Sequence, residues 1–360
     1  MKELRDTLFG KLALIEYKYS KIIVASMVLL TIFLSFGALN LRFESNFMKE
    51  IPQNFDVIKT QNLIDSEFGE EEGIIILLET DFDVVEDIRN KQSIESIYEL
   101  EKRLKARPEI IDVVGPGTIY YSIFRGIPSD ENALREVAKS MPGLISKDYT
   151  SAIVMARMSG VRGEEEIQAA IDIVEEETEK TQLYGLNYTI TGSPVINKTI
   201  LKILREDSLK TMAISAIIVF VLLTIILKLK SIFVIIPLIC GVIWTAGILS
   251  YIGIPISLIT ASVGAIVIGL GAEYGIFMIA RYNEEAKKGK SNEERVVAMV
   301  AGVGRGTIGS SSTTIAGFLA LALSSMPMMV HLGTALSLGI VTCLIGALVF
   351  LPSIMALREW

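Results

Sequence analysis

The chain has 360 residues, 51% of them hydrophobic and 21% charged, with a formal net charge of −7. So much apolar content with so little charge excludes an ordinary soluble globular protein of this length. The acids are concentrated. Residues 42–209 hold 32 of the 41 Asp and Glu but only 19 of the 34 Lys and Arg, so that segment has no basic face and a nucleic-acid partner is excluded.

In chain order, Lys2, Arg5, Lys11, Lys18 and Lys21 precede an apolar run over 22–39. At about 18 residues the run exceeds a secretory h-region, and no small-x-small cleavage site follows. It reads as a first membrane span, so residues 1–41 form a terminal segment plus one helix. Residues 42–209 then alternate helices and short strands. β-branched runs predict strands at 74–79, 110–114, 152–158 and 188–191. Ile94, Ile97, Leu100 and Leu104 give 93–105 the spacing of a helix, as do Ile167, Ala170, Ile171 and Val174 for 164–181. Further helices are expected at 54–67, 130–140 and 196–208, and Gly115-Pro116-Gly117 reads as a turn. Two strand–helix–strand units of similar length predict a compact α+β domain with ferredoxin-like βαβ halves. No phosphate-binding loop, GxSxG or zinc spacing is present, so no cofactor is expected.

Five more apolar segments follow, at 211–227, 232–252, 255–280, 307–325 and 331–357. Each is long enough to cross about 30 Å of hydrocarbon. Residues 210–360 are therefore expected to be five membrane helices, six with the first. Lys228 and Lys230 lie between the second and third spans, and Arg281, Lys287, Lys288, Lys290, Arg295 and Arg305 between the fourth and fifth. The opposite connections carry no Lys or Arg. The positive-inside rule places both termini in the cytoplasm and residues 42–209 outside. The connection 281–306 reads as a cytoplasmic amphipathic helix.

The fourth span carries the chemistry. Glu273 is the one acidic or basic side chain in the interior of any predicted span. It lies eight positions before Arg281, about 12 Å along a helix. A carboxylate at such a depth costs about 2.5–3.5 kcal/mol on insertion scales, so it should face a bundle interior or a water path. A carboxyl that changes protonation state there is the minimum equipment for proton-coupled transport. A permanently neutral acid bonded to a neighbouring helix is the alternative. Tyr274 supplies a hydroxyl within reach of a carboxylate, or else an interfacial aromatic. Gly269, Gly271 and Gly275 thin the helix for close packing. In the fifth span Ser310, Ser311, Ser312, Thr313 and Thr314 form a hydroxyl run, which bonds back to its own backbone or lines a hydrated path. Cys240 and Cys343 read as small hydrophobes, and the single His331 supports neither a metal cluster nor a hydrolytic triad.

The fourth-span run G-L-G-A-E-Y-G-I-F-M-I-A-R-Y-N-E-E resembles the Gly-rich, Asp-Tyr-bearing helix of the RND (resistance–nodulation–division) transporters, in their MmpL-like hydrophobe/amphiphile branch. G-S-S-S-T-T-I-A-G-F-L-A-L, F-L-P-S-I-M-A-L, E-I-P-Q-N-F and T-G-S-P-V-I are similar to further segments of that family. The resemblance covers essentially the whole chain as one half of the usual repeat. It implies a membrane six-helix bundle plus an extracytoplasmic α+β porter domain, in a proton antiporter exporting lipids or other hydrophobic molecules from a cell membrane. It implies that Glu273 is the proton carrier and Tyr274 its partner, with Glu standing where the family has Asp. Typical members carry two halves in one chain, so this half-size form is expected to be a homodimer, or a trimer by analogy with drug-efflux relatives. A secretion accessory of the SecD/SecF type and a sterol-sensing lipid-binding regulator share the architecture and are the competing readings. An enzyme is not expected, because no nucleophile–base pair or metal set is visible.

Overall fold

The computed structural model describes residues 5–45, 50–68, 73–158 and 164–357. It divides into two compact units: Gln53–Ile200, and Met1–Pro52 together with Leu201–Trp360.

The first unit contains α3 (Asp56–Phe68), β1 (Gly73–Thr80), α4 (Lys91–Lys105), β2 (Ile110–Val114), α5 (Pro116–Phe124), α6 (Glu131–Lys139), β3 (Ser151–Met158), α7 (Glu164–Lys180) and β4 (Leu186–Thr191). The strands form one antiparallel sheet in the order β2-β3-β1-β4. Ile76 faces Val154 on one side and Ile190 on the other. Alternation along β1 and β3 sends Ile74, Ile76, Leu78, Ala152, Val154 and Ala156 to one buried face, as the two-residue period of a strand requires. α4 covers that face with Ile94, Ile97, Leu100 and Leu104, and α7 with Ala170, Ile171 and Val174. The two strand–helix–strand units are therefore interleaved in one split-βαβ sheet, with β3 lying between β1 and β2.

The expected turn at 115–117 is instead the start of helix α5. Pro116 occupies its first turn, where a missing N–H costs nothing. The buried Glu101 carboxylate replaces a local cap: it accepts from Gly117 N at 2.9 Å, from Thr118 N, and from Thr118 Oγ1 at 2.5 Å. Burial pushes this carboxyl up to about 7 against the pull of those bonds. The capping partner comes from another helix, and the one local signal, Pro116 between two glycines, suits a turn as well as a helix start. Glu101→Ala is expected to orphan these buried donors and cost about 1–3 kcal/mol. Faster amide exchange over 116–124 than in the parent chain would register it.

The second unit is helical. It contains α1 (Leu8–Lys18), α2 (Ser20–Leu39), the long α8 (Ser193–Leu227, which begins in the first unit), α9 (Ser231–Tyr251), α10 (Val263–Lys287), α11 (Asn292–Leu321), α12 (Pro327–Ile345) and α13 (Leu351–Ala356). The expected helix at 196–208 and the second span are one helix, α8. α2 lies along α9, where Gly37 and Gly247 let the backbones approach: a Cβ on Gly37 would stand 2.9 Å from Gly247 O. Trp244 Nε1 donates to Thr31 Oγ1 at 2.8 Å across the same contact. A wide π turn at Gly346–Phe350 precedes Pro352, which has no N–H with which to continue the helical ladder.

Among the described residues four helical stretches are long and apolar enough to cross a membrane: Ser20–Leu39, Ser193–Tyr251, Thr260–Lys287 and Pro327–Ala356. The second comprises α8 and α9, joined by the short turn Lys228–Lys230. α11 spans 30 residues but is not among them, because Arg305 and the Gly, Ser and Thr residues of 304–317 lower its hydropathy. The expected separate helix at 281–306 is not formed. α10 runs on to Lys287, Gly289 turns the chain at φ 71°, and a Ser291/Glu294 capping box starts α11. Glu285 is buried there in a cage of cations, with Arg281 at 3.1 Å, Lys288 at 2.9 Å, and Lys290.

Candidate functional site

α10 has two faces. Val267, Ile268, Gly271, Ala272, Tyr274, Gly275 and Met278 are buried, whereas Ile266, Gly269, Glu273, Phe277 and Ala280 are exposed. The exposed set recurs every three or four residues and so makes one stripe. Glu273 stands in its middle and, among the described residues, makes no hydrogen bond or ion pair. In the single chain this carboxyl therefore faces outward and not into the bundle.

Adjacent helical residues point about 100° apart, and Tyr274 accordingly lies in the core, 5% exposed. It packs in a cluster with Leu238, Val267, Ile340 and Cys343. The structure does not bring its hydroxyl to Glu273. Gly271 and Gly275 also face inward. A Cβ on Gly271 would stand 2.6 Å from Leu238 Cδ1 and 2.8 Å from Cys343 Sγ, and one on Gly275 would overlap Val234 Cγ1. Gly269 differs from these two: a Cβ there would meet nothing within 4 Å.

α11 packs against α10 and carries a comparable open stripe. Gly306, Gly309, Ser312, Thr313 and Gly317 are exposed, and a Cβ on any of these three glycines meets nothing within 4 Å. The hydroxyl run is satisfied mostly by its own backbone. The buried Ser311 donates to Thr307 O at 2.8 Å, Thr313 to Ser310 O at 2.7 Å, and Thr314 to the same carbonyl at 3.1 Å. Back-bonding of this kind lets polar side chains sit in an apolar helix at little cost.

A cavity of about 270 Å³ opens between α2, α8, α9 and the start of α10. Leu41, Met212, Val242, Leu249 and Val267 line it, and so does Ser208, whose buried hydroxyl has no hydrogen-bond partner. The other lining hydroxyls, of Thr245 and Thr260, are already hydrogen-bonded, so an apolar pocket with one free hydroxyl suits a chain-like apolar ligand bearing a polar group. The cavity could not be read from sequence, since α2 lies far along the chain from the consecutive helices α8 to α10 that complete its walls.

The MMPL family matches residues 51–358, from the end of α2's connection to the end of the helical unit. This chain belongs to the MMPL family. A membrane protein of Methanocaldococcus jannaschii is 30% identical over 346 residues, which cover 92% of this chain and 89% of that one. The siderophore exporter MmpL5 of Mycobacterium tuberculosis is 25% identical over 60% of this chain and 23% of its own. The sulfolipid-1 exporter MmpL8 of the same organism is 24% identical over 26% of this chain and 9% of its own. The MMPL chain described here thus matches nearly the full length of the Methanocaldococcus protein but less than a quarter of the MmpL exporters. MMPL membership and the apolar helices make it a membrane protein of transporter type.

Proposed function

We propose that this chain is one half of a proton-coupled exporter of lipids or other hydrophobic molecules, working as a homodimer with Glu273 as the proton carrier. One observation carries the proposal: Glu273 lies unpaired in an outward stripe of α10, beside a helix whose glycines face open space. Left against lipid, its charge costs about 2.5–3.5 kcal/mol. A second copy that covers the stripes of α10 and α11 takes the carboxyl out of lipid, and the hydroxyls of Ser312 and Thr313 or a bound proton then offset that cost. Small residues favour such close approach of helices, and a two-fold axis along the membrane normal brings two Glu273 side chains together.

In this reading six helices, α2 and α8 to α12, cross the membrane. Both termini are cytoplasmic and residues 42–209 form an outer porter domain. A proton from outside converts the Glu273 carboxylate into a neutral acid, the seam between copies repacks, and release of the proton inside resets it. Tyr274 anchors the buried face of α10, so its relay role requires that helix to turn about its axis. Ser312 and Thr313 line the proton's path at the seam, with Ser311 and Thr314 behind them. The cavity beside Ser208 and the sulfolipid cargo named for the MmpL8 relative support a lipidic substrate.

Purified chain in proteoliposomes, with a fluorescent lipid inside and an imposed pH gradient, tests the reading. Lipid efflux should rise with the gradient and be matched by proton uptake. Lipid binding without gradient-dependent flux would favour the regulator instead, and gradient-driven release of a polypeptide the secretion accessory.

A further inference from the structure

We propose that Glu16 is a second proton-binding site of this chain, whose protonation locks α1 onto α11 and α13. The site lies outside the transport cycle set out above and does not depend on it.

Glu16 is 1% exposed, and neither of its carboxyl oxygens has a hydrogen-bond partner. It shares one face of the chain with Ala13 and Ser20, both buried, and that face lies on α11 and α13. The apolar cluster on the same side includes Phe9, Ala13, Tyr17, Val296, Val300, Leu351 and Met355. A lone ionised carboxylate in such surroundings is prohibitively desolvated, whereas a neutral acid is tolerated.

The charged groups of the packed elements are engaged elsewhere or point outward. Glu293 pairs with Arg5 at 2.8 Å, and Glu294 closes the capping box with Ser291. Arg295 donates to Lys290 O at 2.7 Å and lies over the Tyr282 ring. Lys11, Lys18 and Tyr19 of this segment, Lys21 of α2 and Arg305 of α11 are exposed, and Tyr17 is half-buried. α13 carries no ionisable side chain.

Burial pushes the Glu16 carboxyl up to about 9, from an ordinary 4.5. The docked helix therefore holds a proton that the undocked helix has lost at neutral pH. Docking is at full strength below the ordinary carboxylate range. It weakens as pH rises through the window up to about 9, by about tenfold per pH unit for one proton.

Hydrogen exchange of the full chain in detergent or nanodiscs, followed by mass spectrometry over residues 8–18 at about pH 6 to 9, reads this out. After correction for intrinsic exchange, protection of α1 should fall about tenfold per unit in the parent chain. It should be nearly flat in Glu16→Gln and Glu16→Leu, while peptides from α9, which carries no acidic or basic side chain, stay unchanged in all three. A flat profile in the parent, or an equal slope in the variants, overturns the proposal. The parent profile decides the matter even where a variant fails to fold.

Discussion

Glu273→Gln is expected to reduce gradient-driven lipid efflux and its accompanying proton uptake to background, while leaving the chain folded and dimeric. Gln matches the shape of the protonated acid but binds no proton, so the seam between copies is held in one of its two states. A ligand or proton shifts an equilibrium only through its differential affinity for the two states, and here that difference is removed entirely. Folding should survive because, among the described residues, Glu273 makes no hydrogen bond or ion pair and stands on the exposed face of the chain. Glu273→Asp keeps the chemistry but shortens the reach by one methylene, so it should retain proton-dependent flux at a lower rate. Full coupled flux in Glu273→Gln, measured with a fluorescent lipid and a pH-sensitive dye, would remove this residue from the mechanism.

Gly275→Leu and Gly309→Leu are expected to fail in different ways. At Gly275 even the first side-chain carbon overlaps Val234 Cγ1. Overpacking of a filled interior costs about 1–3 kcal/mol for small additions, and three further carbons have no space to occupy. That variant should lose most of its folded yield and unfold at a clearly lower temperature. At Gly309 nothing stands within 4 Å, so the single chain should fold as before. If α11 lies in the seam, however, leucine holds the two copies apart. Native mass spectrometry should then show a dimer for the parent and a monomer for Gly309→Leu, with the circular dichroism spectrum unchanged. A Gly309→Leu dimer of parental stability would place the seam elsewhere.

Much of the architecture was legible because each element carries its own period. The 22–39 run became α2 at Ser20–Leu39, and the β-branched runs became β1 to β4 within a residue or two. The failures lie at element boundaries. α5 is held by a carboxylate sixteen residues away on α4. α8 absorbs two expected helices because no breaker separates them, and the hinge at 288–291 depends on one left-handed glycine and one capping serine. For α5 a distant partner outweighed the local pattern, at 288–291 a single backbone conformation did, and in α8 the helical pattern simply ran on through the expected boundary.

The sequence by itself determined the number and kind of the apolar segments, the acidic segment between them, and Glu273 as the one charge within them, because hydropathy and charge are properties of composition along a line. Only the tertiary structure decided which way that charge points. Gly271, Tyr274 and Gly275 face α9 and α12 and are filled in, so the helix has one rotation that packs, and it turns Glu273 outward onto a stripe beside open glycines. The rotation of a helix is fixed by the side chains it must fit between, and those come from segments tens of residues away. The carboxyl expected inside a bundle is therefore on the surface of one chain, where a second copy would enclose it.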